Sequence, residues 1–304
     1  MMAGVLGHIR IKSDVIRQCL AEFIGTLLLV LFGDSILAVA VLGKIGSIGA
    51  VAVPLGWGLG LMIGIAVSGG VSGGHLNPAI TLAFATVGKF KWRKIPAFIA
   101  SQYLGGFVAA ALVFFVYEGA FENFDGGYRS VTGQNATAHI FATYPQEFVN
   151  TRNGLFDQVL GTFLLMIAIS AIIDDKNMNI AQGLQPLLIG LSLTAIICCF
   201  GFNCQASLNP ARDLSPRVFT AMAGWGVDVF SFRNYNWFWV PVIGPHIGAI
   251  LGVWIYRLMV ELHWPVDSYD IAKNFSNFKG ITLDSSKQDG NIEMKSVKMT
   301  DAKP

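Results

Sequence analysis

Charged residues are scarce in this sequence. They make up 13% of its 304 residues, whereas 53% are hydrophobic and the mean hydropathy is +0.56. Soluble domains carry about 25% charged residues, so this composition indicates a membrane protein. The formal net charge is only +2, and no block of basic residues alternates with aromatic ones. The charge pattern therefore argues against a nucleic-acid partner.

Cysteines and catalytic constellations are scarce too. Of the four cysteines, Cys198, Cys199 and Cys204 lie close together, but without C-x-x-C spacing or a neighbouring histidine. This pattern predicts neither a disulfide framework nor a zinc site. No paired carboxylates, nucleophile with a base, or metal-ligand cluster stands out against the apolar stretches. We therefore expect no enzymatic activity, no cofactor and no metal.

The chain is instead rich in long apolar stretches, which predict an all-α membrane protein. Six stretches can cross the roughly 30 Å hydrocarbon core of a bilayer as helices. Two shorter ones predict half-helices, which a membrane tolerates only where they are buried in protein or line a cavity. The predicted spans are residues 18–42, 49–69, 95–117, 155–173, 181–202 and 237–260, and the half-helices are residues 77–88 and 209–222.

The same tripeptide opens each half-helix, as Asn77-Pro78-Ala79 and as Asn209-Pro210-Ala211. Asparagine is a strong N-cap and proline is favoured at the first helical position, so each triplet predicts a helix start. The two asparagines are 132 positions apart. Helix starts in corresponding positions of a membrane protein indicate a transport site.

The two halves of the chain repeat. Ala21-Glu22-Phe23-Ile24-Gly25-Thr26 in the first span corresponds to Asp157-Gln158-Val159-Leu160-Gly161-Thr162 in the fourth, at nearly the offset of the triplets. Three spans per half predict an inverted repeat, in which the N-termini of the half-helices meet near the midplane. The predicted segments are a cytosolic N-terminal segment 1–17, a first repeat 18–117, an extracellular loop 118–154, a second repeat 155–262 and a disordered cytosolic tail 263–304.

Lysine and arginine near the span ends predict the orientation. Arg10, Lys12 and Arg17 precede the first span, and four basic residues lie within 89–94. These segments, and with six spans both termini, are expected on the cytoplasmic side of the plasma membrane. The outer loop then carries an N-glycosylation sequon at Asn135, which can be used or stay unused. The sequon at Asn274 falls on the cytosolic side, where it would not be used.

The predicted geometry selects a class of solute. Two helix N-termini that face one lumen concentrate positive potential from their backbone dipoles. A cation there would lose its water and meet this field, so the site would repel cations and hydrated protons. Asn77 and Asn209 are expected to hold side-chain N–H groups toward the lumen, ready to donate to a neutral oxygen. Passive conduction of small neutral polar molecules is favoured over ion transport.

These motifs together resemble the aquaporin (major intrinsic protein) family over about residues 15–262. The resemblance is carried by the doubled triplets, the repeat, and Ser72-Gly73-Gly74-His75-Leu76 before the first triplet. Asp213, the long outer loop and Ala223-Gly224-Trp225-Gly226 look like the aquaglyceroporin branch. The resemblance implies an hourglass pore in each subunit of a homotetramer, with four residues at its narrowest point. It also implies glycerol, water and solutes such as urea as partners.

Two filter positions of the family match Arg212 and Trp57. Arg212 follows Asn209 by three residues, so both can face the lumen. There its fixed charge would oppose cations and its forked donors would orient hydroxyl groups. Trp57 would offer its ring to the CH edge of a polyol. The alternatives are a surface ion pair of Arg212 with Asp213, and a Trp57 that belongs to an interfacial aromatic belt.

The other two filter positions depart from the branch pattern. They match Ile197, where aquaglyceroporins usually have glycine, and Ala206, where many have an aromatic residue. This combination is more similar to the filters of some plant nodulin-like intrinsic proteins, which also pass glycerol. Water-selective aquaporins usually have histidine at the Ile197 position. Because isoleucine cannot donate a hydrogen bond, we expect a less polar filter that is wide enough for a three-carbon polyol.

Three further residues are expected to support the pore. The resemblance implies that Glu22 braces the loop before the first half-helix, and that Gln158 takes the equivalent place in the second half. His75 is near enough to be a structural partner on the cytoplasmic side. Alternatively, its protonation alters conductance, since histidine titrates near physiological pH.

Other functions remain compatible with parts of the pattern. A secondary transporter would share inverted repeats and broken helices, but it also needs an ion-coupling site, for which Glu22 and Asp34 are the interior candidates. A water-selective aquaporin is the nearest competitor and is disfavoured by Ile197, Ala206 and Asp213. A junction protein of the family would show adhesion without appreciable permeability.

Overall fold

The computed structural model describes residues 11–46 and 49–264, so most of the predicted C-terminal tail, with Asn274, lies outside the described residues. Within that part of the chain every regular element is helical, and six helices are long and apolar enough to cross a membrane. The predicted fold class is thereby confirmed. The spans are α1 (Asp14–Leu42), α2 (Gly49–Ser72), α4 (Ile95–Val116), α6 (Thr151–Ile172), α7 (Gln185–Cys204) and α10 (Val240–Met259).

Two short helices follow the repeated triplets, α3 (Pro78–Thr86) and α8 (Pro210–Thr220). Each begins as the sequence predicts, because asparagine caps it and proline occupies the first turn. The side-chain oxygen of Asn77 accepts from the Ala79 N–H at 2.9 Å, and that of Asn209 accepts from the Ala211 N–H at 2.9 Å. The remaining α-helices of the described residues are α5 (Glu118–Asp125) and α9 (Asp228–Tyr235), and a π-helical turn (Ala221–Trp225) follows α8.

Several element boundaries differ from the predicted ones. Helix α6 begins at Thr151 rather than at residue 155, because the Asn150 side chain accepts from the Asn153 N–H at 2.9 Å and caps the helix there. Helix α7 begins at Gln185 rather than at residue 181, with Pro186 in its first turn. The loop predicted at 118–154 contains helix α5 and a turn of 3₁₀ helix at Ala138–Ile140.

Glycines let the spans approach closely, and they do so symmetrically. A methyl group on Gly58 of α2 would lie 2.5 Å from the carbonyl oxygen of Gly190 of α7, and one on Gly190 would lie 2.5 Å from the carbonyl oxygen of Gly58. Only backbones without side chains can cross at this distance. The two glycines have the same sequence offset as Asn77 and Asn209, so their crossing marks the axis that relates the two halves.

Candidate functional site

The half-helices α3 and α8 meet through a reciprocal pair of hydrogen bonds. The Asn77 Nδ2 donates to the Leu208 carbonyl at 2.9 Å, and the Asn209 Nδ2 donates to the Leu76 carbonyl at 2.7 Å. Leu76 and Leu208 have φ values of +51° and +54°, a left-handed conformation that bulky residues rarely adopt. Each amide has two N–H donors. One is engaged across the junction, which leaves one N–H of each asparagine for a solute.

Both asparagines line a cavity of about 770 Å³. All four predicted filter residues, Trp57, Ile197, Ala206 and Arg212, line the same cavity. Leucine and isoleucine side chains form much of the remaining wall. His75 also lines this cavity, and Gln182, Gly183 and Gln185 border it near the first turn of α7. Residues that are far apart in the sequence are therefore assembled along one passage.

Arg212 is buried in the cavity wall and packs against Trp57. The guanidinium carbon lies 4.1 Å from the centroid of the Trp57 ring, within the range of a cation–π interaction. Its Nη1 donates to the Phe141 carbonyl at 3.1 Å. Among the described residues this is the one hydrogen bond that the guanidinium donates to protein. Because a guanidinium has five N–H donors, it keeps donors for a solute in the cavity.

The structure contradicts the alternative in which Arg212 pairs with Asp213. The Asp213 carboxylate instead accepts from the Thr143 N–H at 2.7 Å, from the Thr143 hydroxyl at 2.5 Å and from the Arg217 Nε at 2.9 Å. Asp213 is fully buried, on a different side of α8 from the cavity wall. Its contacts tie the long loop before α6 to the second half-helix.

Arg217 and Thr143 are site residues that the sequence reasoning missed. Arg217 is fully buried and also donates to the carbonyls of Val229 at 2.8 Å and Thr143 at 2.7 Å. The available signal was the spacing, since Asp213 and Arg217 are opposite charges at i and i+4 in a predicted half-helix. Nothing local identifies Thr143, whose partners lie about 70 residues away along the chain.

Phe141 positions the carbonyl that accepts from Arg212, and an aromatic cluster holds it. Its ring is fully buried and stacks on Phe121 with a centroid distance of 5.7 Å. Trp225 packs edge-on against Phe141 at 5.6 Å and donates its indole N–H to the Thr137 hydroxyl at 3.1 Å. The loop between α4 and α6 thus orients Arg212, a contact that the sequence did not reveal.

Glu22 is fully buried and accepts four hydrogen bonds, from the end of α2, from the loop before α3 and from α4. Donors to it are Ser72 Oγ at 2.6 Å, His75 N at 3.0 Å, Leu76 N at 2.8 Å and Gln102 Nε2 at 2.7 Å. The loop N–H groups of His75 and Leu76 have no partner within a helix, and they donate to this carboxylate instead. The same loop carries the Leu76 carbonyl, which accepts from Asn209. Glu22 therefore stabilises the junction of the half-helices indirectly, by holding this loop.

Gln158 holds the second loop through fewer contacts. Its Oε1 accepts from the Leu208 N–H at 3.2 Å, and its Nε2 donates to Asp157 at 3.2 Å. Glu22 and Gln158 therefore touch equivalent residues, Leu76 and Leu208, of the two halves. The carboxylate accepts more loop donors than the amide does.

His75 borders the same cavity, in the loop before α3. Its Nδ1 lies 3.1 Å from the Thr81 hydroxyl, and its ring packs among Phe84, Phe90 and Phe98 at centroid distances of 5.2, 4.9 and 5.5 Å. These contacts fix the ring in place. They favour the structural interpretation of this histidine.

We expect Glu22→Gln to lower both stability and solute permeability. A glutamine offers one acceptor oxygen, and its NH₂ group would face donors that now point at a carboxylate. Each donor left unsatisfied in a buried site costs about 1–3 kcal/mol. The midpoint of thermal unfolding in detergent, followed by the loss of the monodisperse protein peak, should fall by several degrees.

The matched control is Glu118→Gln, the same chemical change at an exposed position on α5. It should leave the unfolding midpoint in place. Equal midpoints for Glu22→Gln, Glu118→Gln and wild type would contradict the bracing role of Glu22.

Comparisons with known proteins agree with this architecture. The sequence profile named Major intrinsic protein matches residues 10–256. Aquaporin-9 from Homo sapiens is 44% identical over 255 residues, covering 84% of this chain and 86% of that protein. Aquaporin-10 from Milnesium tardigradum is 44% identical over 270 residues, covering 84% of this chain and 66% of that protein.

A solved structure gives the same result. The X-ray structure of the aquaglyceroporin from Plasmodium falciparum matches with a TM-score of 0.74 and 28% identity, covering 82% of this chain and 98% of that one. The likeness extends over nearly the whole described part of the chain. This chain belongs to the major intrinsic protein (aquaporin) family and to its aquaglyceroporin branch, as the sequence motifs predicted.

Proposed function

We propose that the chain is a passive channel for glycerol, water and other small neutral solutes such as urea, and that it excludes ions and protons. Members of this family are channels and not enzymes, which agrees with the absence of catalytic motifs in the sequence. The observation that carries the solute class is the packing of Trp57 against Arg212 in the wall of one cavity.

This packing gives the filter two chemically different surfaces. The Trp57 ring accepts the apolar CH edge of a polyol, while the free donors of Arg212 hydrogen-bond its hydroxyl oxygens. Ile197 and Ala206 add no side-chain donor and leave room beside them. A linear three-carbon polyol presents both an apolar edge and a row of hydroxyls, so it matches this arrangement.

Ion exclusion follows from the charges in the same wall. The N-termini of α3 and α8 meet at Asn77 and Asn209, and their dipoles add positive potential to that of Arg212. A cation would exchange its water for this field, whereas a neutral hydroxyl exchanges one hydrogen-bond partner for another. Glu22 already accepts four hydrogen bonds, and Asp34 does not line the cavity, so neither offers a coupling site for a transporter.

The kinetics of glycerol entry test the channel mechanism. In proteoliposomes the initial rate should rise linearly with glycerol concentration, and it should be equal in both directions and indifferent to Na⁺ or proton gradients. Saturable, gradient-driven accumulation would instead identify a secondary transporter.

We expect Ile197→His to reduce glycerol permeability about tenfold while water permeability changes less than twofold. The imidazole adds a donor and occupies space in the cavity that Trp57 also lines. An obstruction that costs about 1.4 kcal/mol slows passage tenfold. Stopped-flow light scattering measures both permeabilities on one preparation. Ile197→Val, which keeps an apolar side chain of similar size, is the control and should behave as wild type. Equal glycerol permeability of Ile197→His and wild type would remove Ile197 from the filter.

We further propose a homotetramer in the plasma membrane with both termini cytoplasmic, supported by the family and by the distribution of lysine and arginine. Asn135 is exposed in the loop before α6, which supports its glycosylation. The Thr137 hydroxyl of the sequon is buried against Asp125 at 3.2 Å. Modification would therefore precede folding of this loop.

A further inference from the structure

A second cavity, of about 300 Å³, lies on the predicted cytoplasmic side between the start of α1 and the connection from α3 to α4. We call it the basic pocket, because three of its lining residues are lysines. The lining residues are Gln18, Ser72, Gly88, Lys89, Phe90, Lys91 and Lys94.

Of the three lysines in the basic pocket, only Lys89 forms an ion pair within the described residues. Lys89 pairs with Glu261 at 3.1 Å, and Lys94 donates to the uncharged Gln18 Oε1 at 2.8 Å. Lys91 is exposed and forms no ion pair within the described residues. The pocket therefore keeps an excess of positive charge that suits an anion with several oxygen acceptors.

The position of the basic pocket favours a lipid over a soluble anion. Trp92 follows Lys91 directly and is 60% exposed, in the turn of 3₁₀ helix (Trp92–Lys94) that precedes α4. Tryptophan is enriched at the membrane interface, so an exposed Trp92 places the neighbouring pocket at the depth of the lipid headgroups. Basic pockets on the cytoplasmic side of a membrane protein bind anionic headgroups, and that leaflet carries the anionic lipids.

We propose that the basic pocket binds the phosphorylated headgroup of an anionic membrane lipid, with Lys91 and Lys94 as its principal phosphate ligands. The volume of about 300 Å³ exceeds that of one phosphate group and fits a phosphorylated sugar-like ring. Lys89 contributes less, because Glu261 shares its charge.

A contact between two rings lies between the basic pocket and the large cavity. The Phe90 ring lines the pocket and lies 4.9 Å from the ring of His75, which lines the large cavity. A headgroup in contact with Phe90 is thus one side chain away from the passage. This connection rests on the proposed channel function, whereas headgroup binding does not.

Binding is tested on the purified full-length chain in detergent by native mass spectrometry, with dioctanoyl phosphatidylinositol bisphosphate as the probe. We expect Lys91→Gln combined with Lys94→Gln to weaken binding at least tenfold. Arg93→Gln combined with Lys176→Gln removes the same charge from exposed positions outside the pocket, and it should bind as wild type. Equal weakening by both pairs would overturn the site.

Two further probes separate the possible sources of the phosphate. Phosphatidylcholine should not compete, and inositol trisphosphate should bind at least tenfold more weakly than the lipid. Equal binding of the soluble trisphosphate would overturn the lipid assignment. Elution of each variant as a monodisperse peak verifies that it is folded.

Glycerol permeability tests the connection through Phe90. Proteoliposomes with and without the phosphoinositide should differ at least twofold for wild type and for the Arg93 and Lys176 control, but not for the pocket variant. Lipid binding without any change in wild-type permeability would overturn the connection and leave the binding site in place. Absence of glycerol flux under every condition would be a failure of the proposed channel function instead.

Discussion

Replacing Arg212 with valine should raise the leak of protons and small cations by at least about tenfold. Among the described residues that line the cavity, Arg212 is the one with a full positive charge. A cation about 4 Å from its guanidinium would meet a repulsion of about 4 kcal/mol at an effective dielectric constant near 20. Each 1.4 kcal/mol is a factor of ten, so removal of this charge has a large effect even though the helix dipoles remain. A pH-sensitive dye inside proteoliposomes measures the leak.

Arg212→Lys separates the charge of Arg212 from its shape. The ammonium keeps the positive charge, so the ion leak should stay low. It loses the planar fork that lies 4.1 Å from the Trp57 ring, so glycerol permeability should fall. An unchanged proton leak in Arg212→Val would contradict the role assigned to this residue.

Asp213→Ala should lower the unfolding midpoint in detergent by on the order of 10 °C. The substitution leaves Arg217 as a buried charge without its carboxylate, and it leaves two donors of Thr143 without an acceptor. Removing one partner of a buried ion pair costs about 3–5 kcal/mol, and about 1 kcal/mol corresponds to roughly 2–4 °C in a chain of this size. Scanning fluorimetry on the purified protein measures the shift.

Two variants calibrate this result. Asp175→Ala removes an exposed carboxylate and should leave the midpoint unchanged. Asp213→Asn keeps one oxygen for Thr143 or Arg217 and should fall between wild type and Asp213→Ala. If Asp213→Ala had the same unfolding midpoint as wild type, the contacts of Asp213 with Thr143 and Arg217 would contribute nothing to stability.

Helix starts at the two triplets were predictable because their signal is local. Asn77 and Asn209 cap the next turn of their own chain, and a proline follows each. The six spans were equally accessible, since length and hydropathy determine whether a helix can cross a bilayer. The start of α6 was harder to predict. Asn150 caps this helix, so the helix begins at Thr151, but a polar residue within a polar stretch of sequence does not mark a helix boundary clearly.

The candidate site likewise has a part that the sequence predicts and a part that it does not. Trp57, Ile197, Ala206 and Arg212 were located by their offsets from the two asparagines, and the structure brings all four to one cavity. The offsets do not predict which residues hold these four side chains in position. The Phe141 carbonyl and the Thr143 backbone reach α8 from the loop before α6, and such long-range contacts leave no periodic or local trace in the sequence.

The junction also makes the two triplets interdependent. Each asparagine caps its own helix with its oxygen and donates its N–H to the loop of the other half. The amide N–H of each asparagine therefore finds its acceptor in the other half, and two hydrogen bonds join the halves at the centre of the inverted repeat.

The central claim is best tested by stopped-flow light scattering from proteoliposomes that contain the purified full-length chain. The vesicles are mixed first with an impermeant osmolyte and then with glycerol. We predict fast shrinkage in both gradients, followed in glycerol alone by re-swelling at least about ten times faster than in empty liposomes. Fast shrinkage with re-swelling no faster than in empty liposomes would identify a water-selective channel and contradict the glycerol pathway past Trp57 and Arg212.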